Sequence, residues 1–409
     1  MSIKQESNKA EFAVSLTLDV GEATLDNSNI KQLYFIEDLF SYTNVGKIIL
    51  EDEEGILEYG PLTGNEFITI LYGEDNDIQK TFKIYKISRI DQKNQNKPDR
   101  NTIEMFFAEP MFFLLNFLQF SRSWTNTRIS DIVKHIGENY LQVNNWDLFE
   151  QTNEKLDYFY IPYWNMNTTL TWLVKRCTSS DNNQPGFCFY NNKNGTNFVT
   201  LEKLLSQKKL MKISDEDDGL YVFQDTNELL YNKILNWYIS GLDMTLMKYL
   251  SGGVTWGYDT NTKNFIKQKH KYKDLVNEHT MLGKKSLFPD ISDEKVSHNN
   301  LGENNIDNLN TIFTNIWNRK YNLQQCLTIT VKGHQERYCG GMIEINWPSG
   351  TQEDQYNKHL HGLYLIKSIT HTFSGYNNPS YKQKMICIKN GYSDSYLDTL
   401  VKAKKINKV

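Results

Sequence analysis

At 409 residues the chain is longer than one ordinary domain, so two or three packed units are expected, each able to bury its own core. The apolar fraction is 39% and the mean hydropathy −0.58, yet aromatics reach 13%, with 24 Tyr and 21 Phe, and large rings bury enough area to sustain a folded protein rather than a disordered one. A net charge of −4 and a pI near 6.1 exclude a global pull toward nucleic acid or anionic lipid, and the short basic runs Lys208-Lys209 and 402-KAKKINK-408 read as solvated.

The start, 1-MSIKQESNKAEF, carries no apolar leader. In 12-FAVSLTLDV-20, Phe12, Val14, Leu16, Leu18 and Val20 share one parity, the signature of a half-buried strand. Further strands are expected at 45–52, 67–72, 81–90 and 102–108, separated by turn-rich segments; that spacing fits a small barrel or sandwich. The apolar run 111-MFFLLNFLQF-120 is broken by Asn116 and Gln119 and is too short to span a bilayer, so no membrane insertion is expected.

After Pro110 the pattern changes. Ile129, Ile132, Val133, Ile136 and Leu141 keep helical spacing, and a second helix is expected from Asn167 as N-cap through 170-LTWLVKRC-177. Strands 186–192 and 196–201 flank a Lys-Asn-Gly turn and predict a hairpin. From about Asn232 strand character returns at 233–240 and 253–259. The stretch 283–307 reads as an exposed loop, and 307-DNLNTIFTNIWNRKYNL-323 as an amphipathic helix with Asp307 as N-cap. Alternation resumes in Leu327, Ile329, Val331 and in Ile343, Ile345, Trp347, so a second β unit closes the chain.

Chemistry-bearing patterns are sparse. Five cysteines (Cys177, Cys188, Cys326, Cys339, Cys387) are widely spaced without a C-x-x-C, which points to reduced, mostly buried thiols. The stretch 359-HLHGLYLIKSITHTF-373 holds three histidines. If it is one strand, His361 and His371 lie about 33 Å apart at ~3.3 Å per residue and cannot share a metal. His359 and His361 form an H-x-H pair with His334 or Asp354 as conceivable third ligands, against the simpler reading of polar positions where a strand begins. The acidic run 215-DEDD-218 has the oxygen ligands for a divalent cation, although such runs are commonly just solvated.

No G-x-S-x-G, H-E-x-x-H, P-loop or dinucleotide fingerprint occurs. Paired glycosidase carboxylates leave no local signature. The aromatic run 158-YFYIPYW-164 lacks the interleaved Lys or Arg of a single-strand nucleic-acid platform, and reads better as a core or subunit-interface strand.

Six segments in order resemble one family: 45-VGKIILEDEEGILEYGPLTGNEFITI-70, 127-TRISDIVKHIG-137, 158-YFYIPYWNMNTTLTWLVKRC-177, 252-GGVTWGYDTNTKNF-265, 319-RKYNLQQCLTITVKGHQERYCGGMIEINWPS-349 and 363-LYLIKSITHTFSGYNNPSYKQKMICIKNGY-392. They are similar to the baseplate hub proteins of contractile-tail phages and, more distantly, to the hub half of type VI secretion spike proteins. The resemblance implies an α+β chain with two small antiparallel β-barrel-like tube domains and an inserted mixed α/β section. The expected boundaries are 1–110 for the first tube domain, 111–230 for the mixed section, 231–259 and 323–392 for the second tube domain, 260–322 for a loop-rich insertion ending in a helix, and 393–409 for a basic tail.

The resemblance further implies a structural, non-enzymatic hub. Three chains would form a pseudo-sixfold ring between a sixfold tail tube protein and a threefold central spike protein, beside other baseplate proteins, with DNA passing through the lumen without specific binding. No cofactor, catalytic residue or resident metal is implied, and the location is the virion tail, with assembly in the host cytoplasm. Because the sequence stops at Val409 after a short basic tail, puncturing or wall-degrading activity is expected on a separate chain. Two alternatives stay open: a tail-associated cell-wall hydrolase carried by the middle section, and a carbohydrate-binding tail module using Tyr158, Tyr160 and Trp164.

Overall fold

The computed structural model describes residues 12–18, 21–52, 64–73, 76–91, 101–153, 155–181, 186–214, 234–240, 253–259, 262–270, 297–300, 326–347, 357, 360–375 and 380–389. The first unit contains β1 (Phe12–Leu18), β2 (Gly21–Leu25), β3 (Ile30–Asp38), β4 (Val45–Asp52), β5 (Phe67–Tyr72), β6 (Ile78–Asp91) and β7 (Asn101–Ala108). The middle section follows with α1 (Pro110–Phe117), β8 (Gln119–Arg128), α2 (Ile129–Tyr140), β9 (Trp146–Phe149), β10 (Lys155–Asn165), α3 (Met166–Val174), β11 (Phe187–Asn191), β12 (Thr196–Thr200), α4 (Leu201–Leu205) and β13 (Lys209–Ser214). The remainder supplies β14 (Ile234–Ser240), β15 (Gly253–Asp259), β16 (Asn264–His270), β17 (Ser297–Asn300), β18 (Cys326–Lys332), β19 (Met342–Asn346), β20 (Gly362–Ser374) and β21 (Ser380–Ile388).

The expected pair of β-barrel-like domains is corrected by the strand order. Among the described residues, strands from both β units belong to one 13-stranded sheet, running β14-β18-β21-β20-β3-β4-β7-β6-β5-β1-β2, with β19 on β20 and β13 of the middle section on β19, while β15 of the second unit lies outside it. It is mostly antiparallel and is not a closed barrel. Its halves meet where β20 pairs with β3 over Ser368↔Asp38 to Phe373↔Leu33. Curvature still brings distant strands together: the rings of Phe12 on β1 and Phe373 on β20 lie 5.2 Å apart, and Asn27 Nδ2 donates to the Phe12 carbonyl at 2.8 Å.

Alternation builds the first core as the sequence predicts. Phe12, Val14 and Leu16 from β1, Ile68 and Ile70 from β5, Phe82 and Ile84 from β6, and Ile103, Met105 and Phe107 from β7 are all buried in one cluster. Phe373 and Tyr381 of the second unit enter that same cluster, so neither half has a core wholly its own. The second core joins Leu327, Ile329 and Val331 with Ile343, Ile345, Ile369 and Met385.

A third core packs α1, α2 and α3 against Phe159 and Ile161 of β10 and against Phe187, Phe189 and Phe198. Strand β11 is buried on both faces. Phe187 and Phe189 point into this third core, while Cys188 and Tyr190 point into the second. That is why 187-FCFYN-191 reads as a continuous apolar run.

The helix at Ile129–Tyr140 forms as predicted, with Ile129, Ile132, Val133 and Ile136 buried. The next helix begins two residues earlier than expected: Asn165, not Asn167, is its cap, and Asn165 Oδ1 accepts the Thr168 N–H at 2.8 Å. The hairpin around Lys193-Asn194-Gly195 is present. Strand β15 pairs with β16 and β17 in a separate three-stranded sheet. The helix expected at 307–323 and the 393–409 tail lie outside the described residues. None of the five cysteines is in a disulfide; Cys326 is half-buried and the other four are buried. Among the described residues no helix is long and apolar enough to cross a membrane.

Candidate functional site

The seam between the two β units is built from polar side chains that the apolar pattern alone would not place inside. Glu37 sits in β3, in a position whose parity faces the core, and is fully buried. Its Oε2 accepts the backbone N–H of Cys339 at 3.1 Å, and its own carbonyl accepts the Ser368 hydroxyl at 3.0 Å. Lys80 of β6 approaches Glu37 Oε1 at 4.0 Å and donates to the Asn192 carbonyl at 2.8 Å. One carboxylate and one ammonium therefore touch the first unit, the middle section and the second unit at once.

The Lys80–Glu37 contact is too long for a hydrogen bond, and among the described residues Glu37 Oε1 has no hydrogen-bond partner. Burial dominates its chemistry. The Glu37 carboxyl is pushed up to about 7, first by desolvation, with the Lys80 charge and the Cys339 N–H pulling the other way.

Two further networks flank it. Glu109 accepts from the Asn44 N–H and Nδ2 and from Asn191 Nδ2, tying the β7–α1 corner to the β3–β4 turn and to β11. On the other side, Arg337 is buried and donates through Nη1 to the Lys332 carbonyl at 2.7 Å and to Gln383 Oε1 at 2.8 Å. Burial lowers the guanidinium to about 10, which leaves it cationic at neutral pH.

Gln383 Nε2 donates to Tyr381 Oη, leaving the tyrosine proton for His371 Nδ1 at 2.7 Å. His371 stacks on Phe35 at 4.3 Å and is held down to about 3 by burial and by the Lys80 charge. It is a neutral core ring across the β3–β20 joint. A cleft of about 430 Å³ opens beside the seam, lined among others by Lys80, Glu109, Gln142, Asn145 and Lys193. Its charged groups are tied to neighbours: Glu109 as above, and Lys193 3.6 Å from Glu336.

His361 lies just before β20, and its carbonyl accepts Lys389 Nζ at 2.7 Å. His371 lies ten residues on, near the far end of β20. His334 accepts the Glu336 N–H through Nδ1 at 3.1 Å. His359, Asp354 and the 215–218 acidic run lie outside the described residues. Among the described residues no group of three or more His, Cys, Asp or Glu is placed to hold a metal ion.

The aromatic run resolves into two faces. Phe159 and Ile161 are core, and Trp164 is half-buried against it, whereas Tyr158, Tyr160 and Tyr163 are exposed. Glu37, Lys80 and Tyr163 carry roles that the sequence reading did not assign. The readable hint for Glu37 was a carboxylate on the apolar parity of 33-LYFIEDL-39.

No protein-family model matches the chain, and no curated protein matches it. Solved structures do. A tail protein from Neisseria meningitidis MC58 superposes with a TM-score of 0.55 at 13% identity, over 93% of this chain and 97% of its own. The 43 kDa tail protein of prophage MuSo2 from Shewanella oneidensis gives 0.55 at 8% identity, over 93% of this chain and 100% of that one. The chain has a baseplate hub-like fold. A chain of the Francisella PdpA–VgrG complex carries the same fold at a TM-score of 0.50 and 11% identity, with 94% of this chain covering 58% of that one. The likeness thus extends over nearly the whole chain, both β units and the section between them.

Proposed function

We propose that the chain is a structural, non-enzymatic hub of a phage tail baseplate. In this reading three copies close a pseudo-sixfold ring that joins a sixfold tail tube to a threefold spike, contacts other baseplate proteins, and lets DNA pass through a lumen that does not grip it. The units correspond to 1–110, 111–230 and a second tube domain of 231–259 with 323–392 around the 260–322 insertion, and within 231–259 it is Ile234–Ser240 that enters the large sheet. The location that follows is the virion tail, after assembly in the host cytoplasm.

One observation carries the reading. Two β units are already joined edge to edge through β20 and β3, and the joined sheet ends in β14 and β2, each paired on one side only among the described residues. Strand β14 presents Leu235, Trp237 and Tyr238 at 53%, 48% and 66% exposure. Soluble proteins blunt such edges with charge, proline or a cover, because an aromatic edge strand is a template for pairing. Repeating the β20–β3 type of joint between β14 of one copy and β2 of the next is a head-to-tail contact, and such a contact closes into a ring when its rotation divides the circle. The modest negative charge suits a conduit for a polyanion.

Solution mass is the deciding experiment. Sedimentation or native mass spectrometry across micromolar concentrations, with and without a spike protein, is expected to show three times 47.9 kDa. A strict monomer under all those conditions overturns the ring.

A further inference from the structure

The two-stranded ribbon β8–β10 stands apart from the large sheet. One face of it is covered: Phe159 and Ile161 are buried against the helices, with Trp124 stacked beside Phe159 at 5.8 Å. The other face is open. Register pairs Tyr158 with Thr125 and Tyr160 with Ser123, so ring and hydroxyl alternate on the outward side. Tyr158 is 65% exposed and Tyr160 48%, and Ser121, Ser123, Thr125 and Pro162 are exposed with them. The cation nearest these rings, Arg122, is turned the other way: it lies against the rings of Trp124 and Tyr140 and donates to Tyr140 Oη at 2.7 Å.

A second feature is independent of that alternation. Between Ile161 and Trp164 the register shifts, and Tyr163 in the bulge takes φ +54°, a left-handed conformation that costs a tyrosine energy. What the bulge achieves is a third ring aimed at solvent, 65% exposed. The same shift turns Trp164 back to the covered face, where it packs on the third core beside Phe120.

We propose that this outward ribbon face binds a neutral oligosaccharide, with Tyr158, Tyr160 and Tyr163 stacking on sugar rings and Ser121, Ser123 and Thr125 meeting their hydroxyls. An aromatic ring has an electron-rich face that receives the C–H face of a pyranose, while the tyrosine hydroxyl remains free to hydrogen-bond. Chemistry and size decide against other occupants. A nucleic acid or other polyanion requires Lys or Arg between the rings, and among the described outward positions from Ser121 to Thr125 and Tyr158 to Pro162 none is charged. A stable protein partner needs roughly 800 Å² of contact per side. The ribbon's eight registered pairs run the 11 residues of β10, roughly 35 Å long and about 10 Å wide, so its face offers only about 350 Å², less than half of that and the footprint of a few sugar units.

The test uses the full chain titrated calorimetrically with cellohexaose, chitohexaose and maltohexaose, alongside Tyr158→Ala, Tyr160→Ala and Tyr163→Ala. Because these rings are exposed, the variants are expected to keep the melting temperature of the unsubstituted chain. Saturable binding of at least one oligosaccharide, weakened about tenfold by each substitution, supports the proposal. It is overturned by the absence of saturable binding to all three, by binding that the substitutions leave unchanged, or by variants that lose only self-association, which would make the ribbon a contact between copies. The first two outcomes leave the proposed ring untouched, since its joint is placed at β14 and β2, whereas loss of self-association alone would put a contact between copies on the ribbon.

Discussion

Glu37 Oε2 accepts the backbone N–H of Cys339 at 3.1 Å, across 302 residues of sequence. That bond and the fully buried carboxylate behind it sit where β3 meets the second unit, so the protonation state of one side chain is coupled to the joint. The Glu37 carboxyl is raised from 4.5 to about 7 in the fold. Between those values the folded state binds the extra proton and the unfolded chain does not, so this group's stabilising contribution is complete below 4.5 and is lost as pH rises through 7. At about 1.36 kcal/mol per pH unit the loss reaches roughly 3 kcal/mol. His371 acts oppositely, its contribution falling away as pH drops from 6.5 toward about 3. The two overlap, so the variant must be compared with the unsubstituted chain at each pH. Glu37→Gln keeps an acceptor for Cys339 and removes the charge. Thermal melts should show it gaining on the unsubstituted chain between pH 5 and pH 8; the reverse trend would mean that Lys80 and Glu37 form a working ion pair.

Asn165 caps α3, and Asn167 stands two residues inside it, exposed. Both read equally well as caps, and only the backbone entering from β10 decides between them, since a cap needs extended φ/ψ and Asn165 has φ −72°, ψ 162°. Asn165→Ala is expected to cost about 1 kcal/mol in urea unfolding, and Asn167→Ala only a few tenths. Equal effects would remove the assignment.

The contrast between those two asparagines marks what was legible in the sequence. Strands β1, β4, β5 and β7 fall within a residue or two of their expected bounds because each buries one face. Strand β3 was not legible. A register shift between Ile30 and Gln32 breaks its parity, and the buried position 37 holds a carboxylate. Strand β8, QFSRSWTNTR, is almost wholly polar because its outer face meets solvent. The joining of two β units into one sheet depends on β3–β20 pairing across more than three hundred residues, as in the Ser368–Glu37 bond with its separation of 331, and no local pattern encodes that. Of the seam, the histidines were visible and their role as core was not, because burial of His371 depends on Phe35 arriving from the unread strand.

Gly46 lies in β4 between Phe35 on β3 and Phe107 on β7. A Cβ there would stand 2.3 Å from the Phe107 ring and 2.4 Å from the Tyr34 carbonyl oxygen. The ring is fully buried and the carbonyl belongs to a sheet ladder, so neither gives way cheaply. Gly46→Ala should destabilise the chain by about 1–3 kcal/mol, the cost of overpacking a filled core. Urea or thermal unfolding with no loss would show that β4 shifts freely, which the pairing on both its sides argues against.

Tyr238 is 66% exposed on β14, at one end of the large sheet. If β14 is the joint between copies, a lysine at this position should charge the edge and weaken self-association at least tenfold while leaving the fold intact, because surface changes away from the core usually stay within about 0.5 kcal/mol. Phe265→Lys is the matched control. That ring is 68% exposed but belongs to the separate β15–β16–β17 sheet, so its loss should leave association unchanged. Sedimentation across micromolar concentrations, with melting temperature read in parallel, separates the cases. Trimers lost in Tyr238→Lys and kept in Phe265→Lys place the joint at the sheet edge. Trimers kept in both exclude β14 as the joint, and trimers lost in both point to a general response to added charge rather than to strand pairing.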